Sequence, residues 1–389
     1  MTLAEPWARG VRGAVGAGSS LAVASAVVTA VNAVTAPVLR LGAAQGTVGE
    51  PVAVIVPARD EATRIAAVVG DLRRQRGVPD LRIVVVDDDS RDGTAALARG
   101  AAGDDERVSV VRLTEDPPGG WLGKQWACAR GVAHAGAAGI VVFVDADVRL
   151  GPDAVARACA ALRDRDAALV SPWPFQVAGS WGEQLMQPML CWSWASTLPL
   201  VAAARSQRRS TVVAVGQFLV VDRAAYDAVG GHGAVAASPT EDLALARALR
   251  DAGGRTTVLW AGGDARCRMY DDARAAREGY SRWLWSAFGG GGGALAVSGL
   301  AALAYLVPPV ALVTCRGPER RWAAAGTAAA VASRATARAL ERGRPHVADV
   351  AAGAAHPLAV VTALVLTARS HALRRRRRLE WKGRRTARE

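Results

Sequence analysis

The chain has 389 residues, 51% of them hydrophobic, and a formal net charge of +13. That length accommodates one large α/β domain with appendages. A mean hydropathy of +0.14 is high for a soluble enzyme and low for a polytopic transporter, so both soluble and membrane parts are expected. Residues 1–289 hold 31 Lys and Arg against 30 acids, whereas 290–389 hold 17 against 5. The main domain therefore lacks the electrostatic footprint of a nucleic-acid binder. Five scattered cysteines, never in C-x-x-C, argue for a reducing compartment without a disulfide frame or zinc site.

Val11 to Leu41 carries no acid, and its apolar core from Gly13 to Leu39 is long enough to span a bilayer. A cleavable signal peptide is the rival reading; an anchor is preferred because the downstream segment looks cytosolic. Gly42–Gly49 reads as a linker. From Val52 the pattern alternates between strands and helices. Strands are expected at 52–56, 82–86, 108–112 and 141–147, with a helix from about Ala62 to Arg74 carrying Ile65, Val68, Val69 and Leu72 on one face. Acids at the strand ends describe an open, largely parallel sheet that binds its ligand along that edge. No G-x-G-x-x-G follows the first strand, so a dinucleotide-binding fold is disfavoured.

The fourth strand ends in Asp145-Ala-Asp147. In extended chain the two carboxylates project to one side, an arrangement that calls for a cation such as Mg²⁺ or Mn²⁺ shared with a substrate diphosphate. Asp87–Thr94 is a turn rich in Asp, Ser and Gly, readable as a solvated helix cap. Lys124 is one of only two lysines beside 46 arginines, inside Gly120-Trp-Leu-Gly-Lys124; it is either a surface cation or a contact to phosphate. Thr240-Glu-Asp242 precedes a helix expected at Leu243–Leu249, which Thr240 is suited to cap. Trp173, Phe175, Trp181, Trp192 and Trp194 fit core packing and a membrane-interface belt equally.

Taken together, Pro57-Ala-Arg-Asp-Glu61, Val85-Val-Asp-Asp88 with Ser90 and Asp92-Gly-Thr94, Asp145-Ala-Asp147 and Thr240-Glu-Asp242 resemble inverting family 2 glycosyltransferases. The resemblance covers roughly residues 52–285. Four further stretches point to the hopene-associated and carotenoid (diaponeurosporenoate) branch: Gly120–Lys124, Gly216-Gln-Phe218 with Tyr226 and Gly230-Gly-His232, Arg268-Met-Tyr270 with Glu278-Gly279, and Trp381-Lys-Gly-Arg384.

The resemblance implies an α/β fold of GT-A type, an open and mostly parallel sheet with a Rossmann-like nucleotide-binding half, flanked by N-terminal and C-terminal transmembrane helices. It assigns Asp88 to the uracil ring, Pro57, Arg59 and Glu61 to the nucleotide pocket, and Asp145 to the ribose or metal. Asp147 is assigned to Mg²⁺ or Mn²⁺. Lys124, Gly216, Glu241 and His232 would face the diphosphate or donor sugar, although a lone His after a turn is more often a packed residue. Asp242 would be the general base that deprotonates the acceptor in an inverting displacement. UDP-glucose is the implied donor and a lipid or isoprenoid the implied acceptor. Processive synthases carry Q-x-x-R-W after the catalytic acid; here Arg282-Trp283 is preceded by Gly279, which favours single-sugar transfer. A polyprenyl-phosphate or polysaccharide glycosyltransferase is the alternative enzyme, and an idle scaffold the alternative outside enzymes.

The expected organisation is an anchor and linker at 1–48, a GT-A domain at 49–288, transmembrane or interfacial helices at 289–372 and a basic cytoplasmic tail at 373–389. Ala294–Val313 should break at Pro308-Pro309, Trp322–Ala332 is too short to span, and His346–Ala368 can span despite Asp349. The tail and the catalytic domain are both expected inside, at the bacterial inner membrane. An even number of crossings must then lie between them.

Overall fold

The computed structural model describes residues 4–39, 47–376, 380–381 and 384–385. Most of the Gly42–Gly49 linker, part of the Trp381–Arg384 stretch and most of the basic tail lie outside the described residues.

The N-terminal helix α1 (Ala4–Thr35) leads into β1 (Val52–Ala58), α2 (Ile65–Arg73), β2 (Leu81–Asp88), α3 (Thr94–Ala102) and β3 (Val108–Leu113). Then come α4 (Gly123–Ala133), β4 (Ile140–Val144), β5 (Val148–Leu150), α5 (Ala154–Asp164), β6 (Leu169–Trp173) and β7 (Phe175–Gln176). Helices α6 (Trp181–Thr197) and α7 (Leu200–Arg205) precede β8 (Phe218–Asp222), α8 (Arg223–Ala228), α9 (Glu241–Asp251), β9 (Thr256–Trp260), β10 (Ala265–Cys267) and α10 (Ala273–Trp283).

The main sheet has the order β3-β2-β1-β4-β8-β6-β9. Strands β1 to β4 are mutually parallel, β8 is antiparallel to both neighbours, and β6 pairs parallel with β9. Unbroken apolar runs make this possible, because such strands are buried on both faces. Val52, Val54 and Val56 pack toward Ile65 and Leu72, whereas Ala53 and Ile55 face Ala127, Cys128 and Leu245. The carboxyl ends of β1, β2, β4, β6 and β9 share one edge with the start of β8. A smaller sheet, β5-β10-β7, lies beside it.

The C-terminal part begins with α11 (Gly291–Tyr305) and α12 (Val307–Thr314). The break at Leu306 stands just before Pro308 and Pro309, which sit in a first turn where their missing N–H groups cost nothing. Then follow α13 (Gly317–Arg342), α14 (Val347–Ala354) and α15 (His356–Arg375). Arg9–Thr35 and Gly291–Thr314 are long and apolar enough to cross a membrane, and α14 and α15 form a pair bent by 60° that passes the same test together.

Helix α13 runs parallel to α1: Arg12 lies 3.8 Å from Glu319, and Thr29 Oγ1 lies 2.8 Å from Ser333 Oγ. Segment α11–α12 runs the other way, with Ala22 clustered near Ala304 and Val15 near Ala311. The bundle docks on the carboxyl edge of the sheet. Leu39 N donates to Trp260 O at 2.8 Å, and Trp173 Nε1 donates to Glu341 Oε1 at 3.2 Å. Both ends of α14–α15 return to that side, through Arg342 to Asp349 at 2.8 Å and Trp285 N to Ser370 Oγ at 2.9 Å. Segment α11–α12 thus leads away from the docking edge and α13 leads back to it; α13 itself is not among the helices apolar enough to cross a membrane.

The aromatic run divides. Trp173 and Trp192 are buried, Phe175 lies under the guanidinium groups of Arg338 and Arg342, and Trp181 is 72% exposed.

Candidate active site

Two loops at the carboxyl edge are stitched together. Asp60 N donates to Ser90 Oγ at 2.9 Å, Glu61 N to Thr94 Oγ1 at 2.8 Å, and Ala62 N to Asp92 Oδ2 at 2.8 Å. Asp92 Oδ1 also accepts the Thr94 N–H at 3.0 Å. The Ser/Asp/Thr cluster is therefore a clamp between the β1–α2 and β2–α3 loops. Within that frame Asp88 is 2% exposed, and Arg59 Nη1 donates to its carbonyl at 2.9 Å and to its carboxylate at 3.4 Å. Pro57 lies within β1, paired with Val86, and Glu61 meets Arg64 at 3.3 Å.

The Asp145–Asp147 segment differs from the extended geometry expected of it. Strand β4 stops at Val144, and Val148 N donates to Asp145 O at 3.1 Å, closing a turn. The two carboxylates are not alternate residues of one strand, because backbone pairing with β8 runs out at Phe218 and the chain folds back into β5. Their partners differ accordingly. Lys124 Nζ lies 2.8 Å from Asp145 and 2.8 Å from Glu241, whereas Asp147 Oδ1 is buried with no hydrogen-bond partner.

Lys124 reaches this position from the first turn of α4, and Glu241 from the first residue of α9. Beside them Asp242 accepts the Gly216 N–H at 2.7 Å and the Leu243 N–H at 2.8 Å. Thr240 makes no side-chain cap to α9. The expected capping role is filled instead by Asp242 within the first turn. A Cβ at Gly216 would lie 3.1 Å from Glu241 Oε1, 3.2 Å from Lys124 Nζ and 3.3 Å from Asp242 Cβ, so a side chain there would press on all three groups.

The charges are unequal. Burial opposes the Lys124 charge, but Asp145 and Glu241 hold its pKa well above the ammonium range. Burial likewise opposes the Glu241 carboxylate, and Lys124 prevails and lowers its pKa. Burial, reinforced by Asp147 although countered by Lys124, pushes Asp145 up to about 7. Asp242 rises to about 6 through burial and the neighbouring Glu241. Lys124 and Glu241 form the firm ion pair, and Asp242 sits near neutrality, where a base is most useful.

His232 is placed differently from its expected contact with phosphate. It is 2% exposed, its Nδ1 lies 2.8 Å from the Tyr226 hydroxyl, and its ring meets Phe143 edge-on at 4.7 Å. Burial pushes its pKa down to about 4. It is a neutral packing residue behind Glu241, as a lone His after a turn often is.

Several further residues join the site. Gln217 O accepts the Asp145 N–H at 3.0 Å, and its amide bonds Gln176 and Cys267. Burial and Glu61 raise the pKa of the Asp147 carboxylate, and the neighbouring Cys267 thiol opposes that rise. Arg64 reaches Asp271 at 2.6 Å. At Gly279, a Cβ would collide with the Tyr270 ring, so a glutamine there would require Tyr270 to move.

Among the described residues, no three His, Cys, Asp or Glu side chains form a metal cage. The site nevertheless fits a hard cation that arrives with phosphate oxygens. Mg²⁺ and Mn²⁺ are commonly held by one or two carboxylates plus water and substrate phosphate, and Asp147 Oδ1, buried without a hydrogen-bond partner, is a carboxylate oxygen that fits that demand.

Residues 53–230 match the family described as Glycosyl transferase family 2. That segment is thus a family 2 glycosyltransferase domain, and the sheet topology is of GT-A type. Among its sequence relatives are 4,4'-diaponeurosporenoate glycosyltransferases from Staphylococcus haemolyticus (strain JCSC1435), 27% identical over 246 residues, and Staphylococcus aureus (strain MRSA252), 29% identical over 245 residues. These matches cover 62% of this chain and 62% of the first relative, and 61% of each for the second, short of two thirds of the relatives' length. In fold the chain is similar to a mannosyltransferase from Pyrobaculum calidifontis in complex with GDP-Man and Mn²⁺. That similarity has a TM-score of 0.53 at 17% identity, over 92% of this chain and 99% of the other.

Proposed function

We propose that this chain is a glycosyltransferase, anchored in the bacterial inner membrane and facing the cytoplasm, that moves one sugar from a nucleotide sugar to a lipid-like acceptor with inversion. The observation that carries the reading is that the bundle docks, through Trp260 and Trp173, on the same sheet edge that presents Lys124, Asp145, Asp147 and Asp242. A donor bound there lies next to the membrane part, where an apolar acceptor arrives. The strongly basic C-terminal region supports an inside orientation.

In this mechanism Asp88, with Pro57, Arg59 and Glu61, holds the nucleotide, UDP being the nucleotide the family resemblance implies. Asp147, with Asp145 beside it, would hold Mg²⁺ or Mn²⁺, which supplies charge neutralisation for the departing diphosphate when bound. Lys124 adds a fixed positive charge at the same place. Asp242 takes the proton from the acceptor hydroxyl as that oxygen bonds to the anomeric carbon. The bond from that carbon to the diphosphate oxygen breaks on the opposite face, and the nucleoside diphosphate leaves. The relatives named for diaponeurosporenoate favour a carotenoid-type acceptor and the resemblance keeps a hopanoid-type one; the Tyr270–Gly279 packing disfavours a polysaccharide synthase.

The test is donor hydrolysis by detergent-solubilised protein over a panel of nucleotide sugars, with and without Mn²⁺. Turnover of one donor that needs metal and disappears in Asp147→Ala supports the reading. Metal-independent turnover, or none with any donor, sinks it.

A further inference from the structure

A second polar cluster lies inside the bundle, and sugar transfer makes no use of it. Helices α6, α13 and α15 meet around Gln187, Arg334 and His356, which are 1%, 2% and 0% exposed. Both amide atoms of Gln187, Nη1 of Arg334 and both ring nitrogens of His356 have no hydrogen-bond partner. Shared neighbours bring the three together. Arg334 Nη2 donates to Gln184 O at 3.2 Å, and the Cys191 thiol faces Ala337 O at 3.6 Å. Gln187 lies between Gln184 and Cys191 on the α6 face that meets α13. Trp192 Nε1 donates to Ser333 Oγ at 2.9 Å, next to Arg334, and the His356 ring sits edge-on to Trp192 at 4.4 Å.

The nearby acids are already engaged. Glu341 binds Arg338 and the Trp173 indole, and Asp349 binds Arg342. Among the described residues, no carboxylate stands within ion-pair distance of Arg334. A buried guanidinium without a counter-charge is costly, and inside an apolar bundle such a residue marks a binding site for its missing partner. The surroundings are apolar: Trp192, Tyr305 and Val360 belong to one buried cluster and Met186, Tyr280 and Leu366 to another. A few convergent polar groups in apolar walls is how small-ligand sites are built.

We propose that this junction is an anion site that takes a carboxylate or phosphate oxyanion. Arg334 is its charge partner, and the Gln187 amide and a His356 ring N–H are its further donors. The oxyanion is either a free ion or the acidic head of an apolar lipid that enters from the bilayer. The site lies apart from the donor edge, so its occupancy does not depend on the transfer reaction.

The experiment titrates the full-length chain in neutral detergent with EDTA and no nucleotide, following tryptophan fluorescence. The probes are geranylgeranyl phosphate, geranylgeranoic acid, geranylgeraniol and inorganic phosphate. The two acidic lipids should bind at least tenfold more tightly than the alcohol. Arg334→Gln should erase that preference, whereas Arg334→Lys keeps part of it and Gln187→Leu weakens it several-fold. These last two variants decide the matter if Arg334→Gln does not fold. Competition by inorganic phosphate identifies a free ion as the occupant, and its failure to compete identifies a lipid head group; both support the site. Equal binding of acid and alcohol, or a preference that survives Arg334→Gln, overturns it.

Discussion

Asp242 Oδ2 accepts the Gly216 N–H at 2.7 Å, so the tip of α9 is pinned to the residue that leads into β8. With Leu243 N–H on the other oxygen, the carboxylate is fixed in place yet keeps the lone pairs a base requires. Asp242→Asn brings an NH₂ group against one of these two donors and removes the basic site. Transfer to a lipid acceptor should fall by about 10²–10⁴, with donor affinity nearly unchanged. Initial rates and equilibrium binding of the nucleotide sugar separate the two effects.

The pH profile follows from the same group. Asp242 is raised to about 6 from an ordinary value of 3.8, so the folded protein holds this proton more tightly than the unfolded chain. Its stabilising contribution is complete below pH 3.8 and is lost as pH rises through about 6. Activity moves oppositely, because only the deprotonated form accepts the acceptor's proton. The acid limb of kcat/KM should centre near pH 6 and vanish from the residual rate of Asp242→Asn. In thermal melts the difference in Tm between Asp242→Asn and wild type should move in favour of the variant from pH 4 to pH 8. A difference that does not change with pH refutes the assignment.

Lys124 holds Asp145 and Glu241 at one point, 2.8 Å from each. Lys124→Met leaves these carboxylates, with Asp147 and Asp242 nearby, facing the incoming diphosphate without that cation. Turnover should fall by about 10²–10³, and the donor KM should rise. A loss of turnover with unchanged KM would mean that Lys124 acts only in the transition state.

Much of this site was legible because its chemistry is written in clustered residue types. The unbroken Val/Ile runs of β1, β2 and β4 require burial on both faces, and the acids that follow them then fall on one edge. Turn geometry was not legible: alternation puts Asp145 and Asp147 on one side only if the strand continues, and it ends where β8 stops pairing with it. Arg64 and Cys267 carry no local pattern, and Gln217 stands out only within Gly216-Gln-Phe218; the fold alone brings them to Asp147 and Asp145. Helix α13 was hidden for a different reason. Arg334, Arg338 and Glu341 interrupt its apolar run, and Arg338 becomes tolerable only when Glu341, itself held by the Trp173 indole N–H, meets it.

The clamp between the β1–α2 and β2–α3 loops has its own signature. Burial pushes the Asp92 carboxyl up, but the Thr94 hydroxyl and the Ala62 and Thr94 N–H groups together hold its pKa below the ordinary value. Asp92→Ala releases these donors at an exposed position, for a cost of about 1 kcal/mol. The larger consequence is loss of register between Pro57–Glu61 and Asp88. Nucleotide affinity should weaken several-fold with a small drop in Tm, and Ser90→Ala should act in the same direction through Asp60.

The bundle geometry makes a topological prediction with a native probe. Cys128, Cys159, Cys191 and Cys267 are buried, whereas Cys315 is partly exposed. It follows α12, at the end of the bundle far from the docking edge, close to where Arg12 meets Glu319. If α11–α12 runs outward and α13 returns, Cys315 and the catalytic domain lie on opposite sides of the membrane. A membrane-impermeant maleimide should label Cys315 in right-side-out vesicles and leave it unlabelled in inverted ones until detergent is added. Protease should cut the catalytic domain with the reverse preference, and Cys315→Ser should remove the label. Labelling of Cys315 from the catalytic side would show that these helices lie along the membrane surface and do not cross it.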